Sequence, residues 1–114
     1  MKKDFIIYLE DIIDAITHIV EYTTNSTQEV FEKDDYMQDA VIRRFEIIGE
    51  AVKHIPEDFR KSHPEIPWKL ATGMRDVLIH NYNEVNFERL WKTIKEDLPQ
   101  FKKQIKTLLP TDPL

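Results

Sequence analysis

The chain has no cysteine, only two glycines, no long apolar run and no excess of positive charge. Without cysteine there is neither a disulfide framework nor thiolate chemistry, a composition that fits a reducing compartment. Gly49 and Gly73 are the only glycines, so few tight turns are available and helices are favoured over a meander of short strands. The segment after Met1-Lys2-Lys3-Asp4 is amphipathic rather than continuously apolar. Neither a signal peptide nor a membrane-spanning helix is therefore expected, and a cytoplasmic location is. A net charge of −5 argues against broad electrostatic capture of nucleic acid.

That charge is unevenly spread. Residues 1–42 carry 3 basic and 10 acidic side chains, residues 43–80 carry 7 and 6, and residues 81–114 carry 6 and 5. The acidity lies in the first third, so a small local phosphate site further along remains compatible with the composition.

At 114 residues the chain is expected to form one domain over 1–110, with a short tail at 111–114. Phe5, Ile6, Leu9, Ile12, Ile13, Ile16, Ile19 and Val20 recur at helical spacing and predict a helix from Lys3 to Thr23. Ser26 and Glu29 have capping-box spacing for a short turn through Phe31. Asp34 or Asp35 can cap a second long helix that ends at Ile55, before Pro56. Its apolar positions cover more than one face, which predicts burial against the core on one side and against a partner subunit on the other. Three prolines punctuate the segment from Pro56 to Pro67, which has room for one helical turn at Glu57 to Lys61. Another helix is expected from Pro67 to His80, and a last one from Phe87 to Leu109, kinked at Pro99.

Near the end of the Pro67–His80 helix stands Arg75-Asp76-Val77-Leu78-Ile79-His80-Asn81-Tyr82. A guanidinium binds phosphate through bidentate contacts, and imidazole carries protons near neutral pH. On a regular helix Arg75 and Tyr82 lie about 20° apart in azimuth, while Arg75 and His80 diverge by roughly 140°. To share one phosphate, either the helix unwinds at His80 or two copies of the chain form the cleft. Taken singly, these residues have plainer uses: Arg75 as a surface ion-pair partner, His80 at a helix C-terminus, Tyr82 as a rim aromatic.

Two longer strings give the cluster context. Ala40-Val41-Ile42-Arg43-Arg44-Phe45-Glu46-Ile47-Ile48-Gly49-Glu50-Ala51 resembles the second-helix signature of the HepT family of small HEPN-domain proteins. The run from Ile66 to Tyr82 resembles that family's active-site stretch, with Arg75, His80 and Tyr82 matching R-x-x-x-x-H-x-Y. The resemblance continues through Val85 and Trp91 to Leu98-Pro99. It implies an all-α fold: a HEPN-type antiparallel bundle of four main helices with a short extra helical turn. It further implies the toxin of a toxin–antitoxin pair, a metal-independent endoribonuclease that forms homodimers. The family's partner is MntA, a nucleotidyltransferase antitoxin that transfers AMP to the motif tyrosine, here Tyr82. Arg43 matches a basic position in the family's second helix and can extend a phosphate track.

The residues suit such chemistry. RNA supplies its own nucleophile, the 2′-hydroxyl, and no clustered Cys/His or Asp/Glu set suggests a metal or other cofactor. His80 would act as base toward that hydroxyl or as acid toward the leaving 5′-oxygen, and Arg75 would stabilise charge on the phosphate oxygens. Asp76 would orient the imidazole or raise its pKa. The expected product is a 2′,3′-cyclic phosphate. Tyr82 would stack on a base or bond to phosphate, or serve purely as the switch, with AMP bringing bulk and negative charge beside Arg75. The competing reading is a non-catalytic helical module that partners a nucleotidyltransferase. Elsewhere, Arg44 is expected to be solvated, His18, His54 and His63 to be surface residues, and Trp68 and Trp91 to anchor a core or interface.

Overall fold

Apolar side chains three and four positions apart wind into helix throughout this computed structural model, which describes residues 4–73 and 85–110. No strand occurs among the described residues. The elements are α1 (Ile6–Thr23), α2 (Gln28–Phe31), α3 (Asp35–His54), α4 (Glu57–Lys61), the helical residues 68–73 of α5, α6 (Phe87–Lys92) and α7 (Leu98–Lys106). A π-helical turn, Thr93–Asp97, joins the last two.

Two contacts give the sense of α1 against α3. Tyr8, near the start of α1, stacks on His54 at the end of α3. Tyr22, near the end of α1, accepts a hydrogen bond at 3.4 Å from Nε of Arg44, in the first half of α3. The helices are therefore antiparallel. Leu9, Ile12, Ile16 and Ile19 of α1 are wholly buried with Val41, Phe45, Ile48 and Val52 of α3. Leu90, Ile94, Leu98, Phe101 and Ile105 complete the core from the C-terminal segment, and α7 lies against α1. Each large aliphatic side chain withdrawn in this way contributes about 1.5–3 kcal/mol of transfer free energy. The result is the all-helical bundle expected of a HEPN-type chain.

Three local expectations need correction. The turn before α2 is capped by Thr27, not Ser26: Oγ1 of Thr27 accepts from the Val30 amide at 3.2 Å. Thr27 has the extended backbone that an N-cap requires, whereas the Ser26 amide still donates to the Thr23 carbonyl in the exit turn of α1. Glu29 thus falls at the second helical position rather than the third, and no capping box forms. Helix α1 starts at Ile6 rather than Lys3. Arg44, expected to be solvated, is half-buried through its bond to Tyr22.

The other boundaries follow the sequence closely. Asp34 caps α3, its Oδ1 accepting from the Met37 amide at 3.0 Å, and α4 occupies the Glu57–Lys61 turn. The break at Pro99 takes a specific form. The Leu98 amide donates to the carbonyl of Thr93, five residues back, so the widened turn comes just before the proline. Proline lacks an amide proton and its ring collides with the carbonyl four residues earlier; a π turn moves that carbonyl aside.

Candidate functional site

Of the five residues singled out in the sequence, Arg75, Asp76, His80 and Tyr82 lie outside the described residues. The structure does describe how the chain enters and leaves that motif. On the entry side, Pro67 opens the turn into α5, and the Trp68 indole is buried. Its Nε1–H is shared between the carbonyls of Arg60 and His63, both at 3.1 Å, which ties α5 to α4 and the proline-rich linker. Ile66 and Ala71 are buried beside it. The side-chain amide of Gln104 on α7 reaches the Glu65 carbonyl at 3.1 Å and braces the linker from behind. On the exit side, Asn86 caps α6, its Oδ1 accepting from the Arg89 amide at 3.0 Å. The described residues on either side of the motif are thus a helix tied to the linker through Trp68 and a helix capped by Asn86.

Arg43, the fifth residue, is described. It stands on the strip of α3 formed by Arg43, Glu46, Ile47, Glu50, Ala51 and His54, whose spacing places them on one helix face. Tyr8 and Asp11 of α1 form the opposite wall of this cleft of about 410 Å³. The Arg43 side chain is 70% exposed and meets Glu46 at 3.7 Å, a surface ion pair worth a few tenths of a kcal/mol. Among the described residues, three carboxylates, Asp11, Glu46 and Glu50, line the cleft with it.

The same cleft holds a pair that the sequence reading did not single out. The rings of Tyr8 and His54 lie 4.8 Å apart at 21°. Nδ1 of His54 is 2.9 Å from the Glu50 carbonyl oxygen, a contact satisfied when that nitrogen carries the proton. The stacking partners come from different helices, and no local spacing rule could have found them. His18 likewise sits against its own helix, Nδ1 being 2.8 Å from the Asp14 carbonyl oxygen. Among the described residues no group of His, Cys, Asp and Glu is arranged to hold a metal ion.

A model of the family described as ribonuclease HepT-like matches residues 12–108, which contain both frame and motif. The chain belongs to the HepT-like family. A probable ribonuclease HepT of Thermococcus cleftensis is 51% identical over 95% of this chain and 98% of its own length. A protein of Caldanaerobacter subterraneus subsp. tengcongensis, named as a candidate RNase, is 43% identical over 90% of this chain and 91% of its own. A third relative, from Methanocaldococcus jannaschii, is named as a gamma-glutamylcyclotransferase and candidate RNase. It is 46% identical over 92% of this chain, which spans only 47% of that longer protein. No solved structure matches significantly. No helix among the described residues of this HepT-like chain is long and apolar enough to cross a membrane.

Proposed function

We propose that this HepT-like chain is the toxin of a toxin–antitoxin pair and cleaves RNA without a metal ion. The observation that carries the reading is the intact Arg75, His80, Tyr82 order inside the span matched by the ribonuclease family. The 2′-hydroxyl of the substrate attacks the adjacent phosphorus while the bond to the 5′-oxygen breaks. His80 moves the proton, as base at the attacking oxygen or as acid at the leaving one. The Arg75 guanidinium neutralises charge on the non-bridging oxygens as the transition state forms. Asp76, four residues before His80, orients the imidazole. The products are a 2′,3′-cyclic phosphate and a 5′-hydroxyl. Arg43 contributes at most an outlying cation, because Glu46 offsets its charge.

Control falls to Tyr82. An MntA-like nucleotidyltransferase would bring ATP, the phenol oxygen would attack its α-phosphorus, and pyrophosphate would leave. The attached AMP sets a phosphate beside Arg75, where it competes with RNA. A homodimer answers the roughly 140° divergence of Arg75 and His80 by letting two copies share the cleft. In this reading the unit is one domain over residues 1–110, acting in the cytoplasm.

The deciding experiment incubates the purified protein and His80→Ala with end-labelled RNA in the presence of a chelator. Cleavage by the first alone, leaving cyclic-phosphate ends, is expected. Equal inertness of both proteins would favour the non-catalytic module, and an absolute need for Mg²⁺ would overturn the proton-transfer scheme.

A further inference from the structure

A second cleft, about 430 Å³ in volume, opens where α4 and the proline-rich linker meet the start of α5. Its charge contrasts with that of the α1–α3 cleft. Among the described residues, Arg60, Lys61 and Lys69 line it against a single carboxylate, Glu57. The buried Trp68 forms its floor, and the exposed rings of Pro64 and Pro67 provide apolar surface beside the cations.

The cleft is built rather than incidental. The bifurcated bond from the Trp68 indole fixes floor to wall. Nε of Arg60 donates to the Ile55 carbonyl at 3.1 Å, which holds the guanidinium at the edge. Lys61 meets Glu57 at 3.2 Å, but both side chains are about three-quarters exposed (74% and 70%), and such a pair is weak enough for a phosphate to displace. Lys69 is exposed. Position supplies the link to the reaction. Arg75 lies six positions after Lys69, and a chain of that length spans at most about 22 Å even when fully extended. A phosphate bound at Arg75 and one bound in this cleft can therefore belong to the same short stretch of nucleic acid.

We propose that this cleft is a phosphate subsite for the RNA strand flanking the cleaved linkage, with Lys61 and Lys69 as its two backbone contacts. The inference rests on the ribonuclease reading and deepens it. The chain as a whole is acidic, so productive binding needs a local cationic track leading to the reacting phosphate. The apolar proline rings beside the lysines suit the sugar and base faces of such a strand without selecting a sequence.

The test first establishes that the wild type cleaves RNA. If it does not, the ribonuclease reading fails and the subsite falls with it. If it does, RNA affinity is measured by fluorescence anisotropy in a His80→Ala background, over a range of salt concentrations, with and without the double change Lys61→Gln/Lys69→Gln. Lys103→Gln/Lys106→Gln, at exposed positions of α7 outside the cleft, serves as the charge-matched control. Removing one lysine–phosphate interaction with a single strand lowers the slope of log affinity against log salt by about 0.7, so the double variant is expected to lose about 1.4. Affinity at moderate salt should fall about tenfold, while the control keeps slope and affinity. Both lysines are exposed, and an unchanged circular dichroism melt confirms the fold. Unaltered slope and affinity in the cleft double variant, or an equal loss in Lys103→Gln/Lys106→Gln, would overturn the subsite. So would a double variant that binds RNA normally but loses its hold on the antitoxin.

Discussion

The ammonium of Lys95 donates to the carbonyl oxygen of Thr23 at 3.2 Å, joining the π turn of the C-terminal segment to the last turn of α1. The same carbonyl accepts the Ser26 amide at 3.1 Å, and the Lys95 ammonium lies 4.7 Å from the centre of the Trp91 ring. A cation at this position gives the Thr23 carbonyl a second, charged donor and meets the negative end of the α1 dipole. Lys95→Met keeps the aliphatic stem and removes the charge. It should lower the unfolding free energy by about 1 kcal/mol, allowing for partial exposure, and the melting temperature by several degrees. Urea titration measures this; a variant as stable as the wild type would show that water replaces the lysine at no cost.

The helix caps make a sharper comparison, because neighbouring hydroxyls differ in role. Asp34→Ala should cost about 1 kcal/mol, and Thr27→Ala somewhat less because α2 is a single turn. Ser26→Ala should stay within about 0.5 kcal/mol of the wild type, since its hydroxyl reaches only the adjacent Thr27 carbonyl, at 3.2 Å. Chemical denaturation of the three variants side by side would reveal the cap. Were Ser26→Ala the costlier of the pair, the capping would belong to the earlier residue after all.

That one-residue slip marks how far local rules carry in this chain. The Asp34 cap, the α4 turn after Pro56 and the apolar stripes of the long helices were legible because propensity, proline chemistry and periodicity all act within a few residues. Ser26 and Thr27 are chemically alike, and only the exit geometry of α1 decides between them. Pro99 announced an interruption, but its π form depends on where the freed carbonyl can go. The Tyr8–His54 stack and the Lys95–Thr23 bond join residues from different helices, which sequence spacing cannot encode. As for the site, Arg43 was singled out only because it matches a basic position in the family's second helix. The carboxylates that surround it and the cationic cleft at α4 emerge only from packing.

Trp68 links stability to function. Trp68→Phe preserves most of the buried ring but removes the indole donor, leaving the Arg60 and His63 carbonyls without it. Loss of the shared bond and of ring volume together should cost about 1–3 kcal/mol. Because this bond also fixes the entry into the motif, RNA cleavage should fall more than the folded fraction does. Thermal melts paired with initial rates, taken well below the transition, separate the two effects. Full activity at normal stability would show that α5 is held without the indole.

The proposed catalytic and switch roles can be separated chemically at two positions of the motif. His80→Ala removes the proton carrier and should lower kcat by about a hundredfold to ten-thousandfold, with binding of RNA retained. A chelator should leave the wild-type rate unchanged. Tyr82→Phe keeps the ring and deletes only the oxygen that would accept AMP. With the nucleotidyltransferase and ATP present, the wild type should gain the mass of AMP and lose activity, whereas Tyr82→Phe should gain no mass and keep the activity it has alone. Mass spectrometry and RNA cleavage on the same samples read both. Silencing of Tyr82→Phe to the wild-type extent would mean that the partner acts by covering the site, and the phenol would then be no switch.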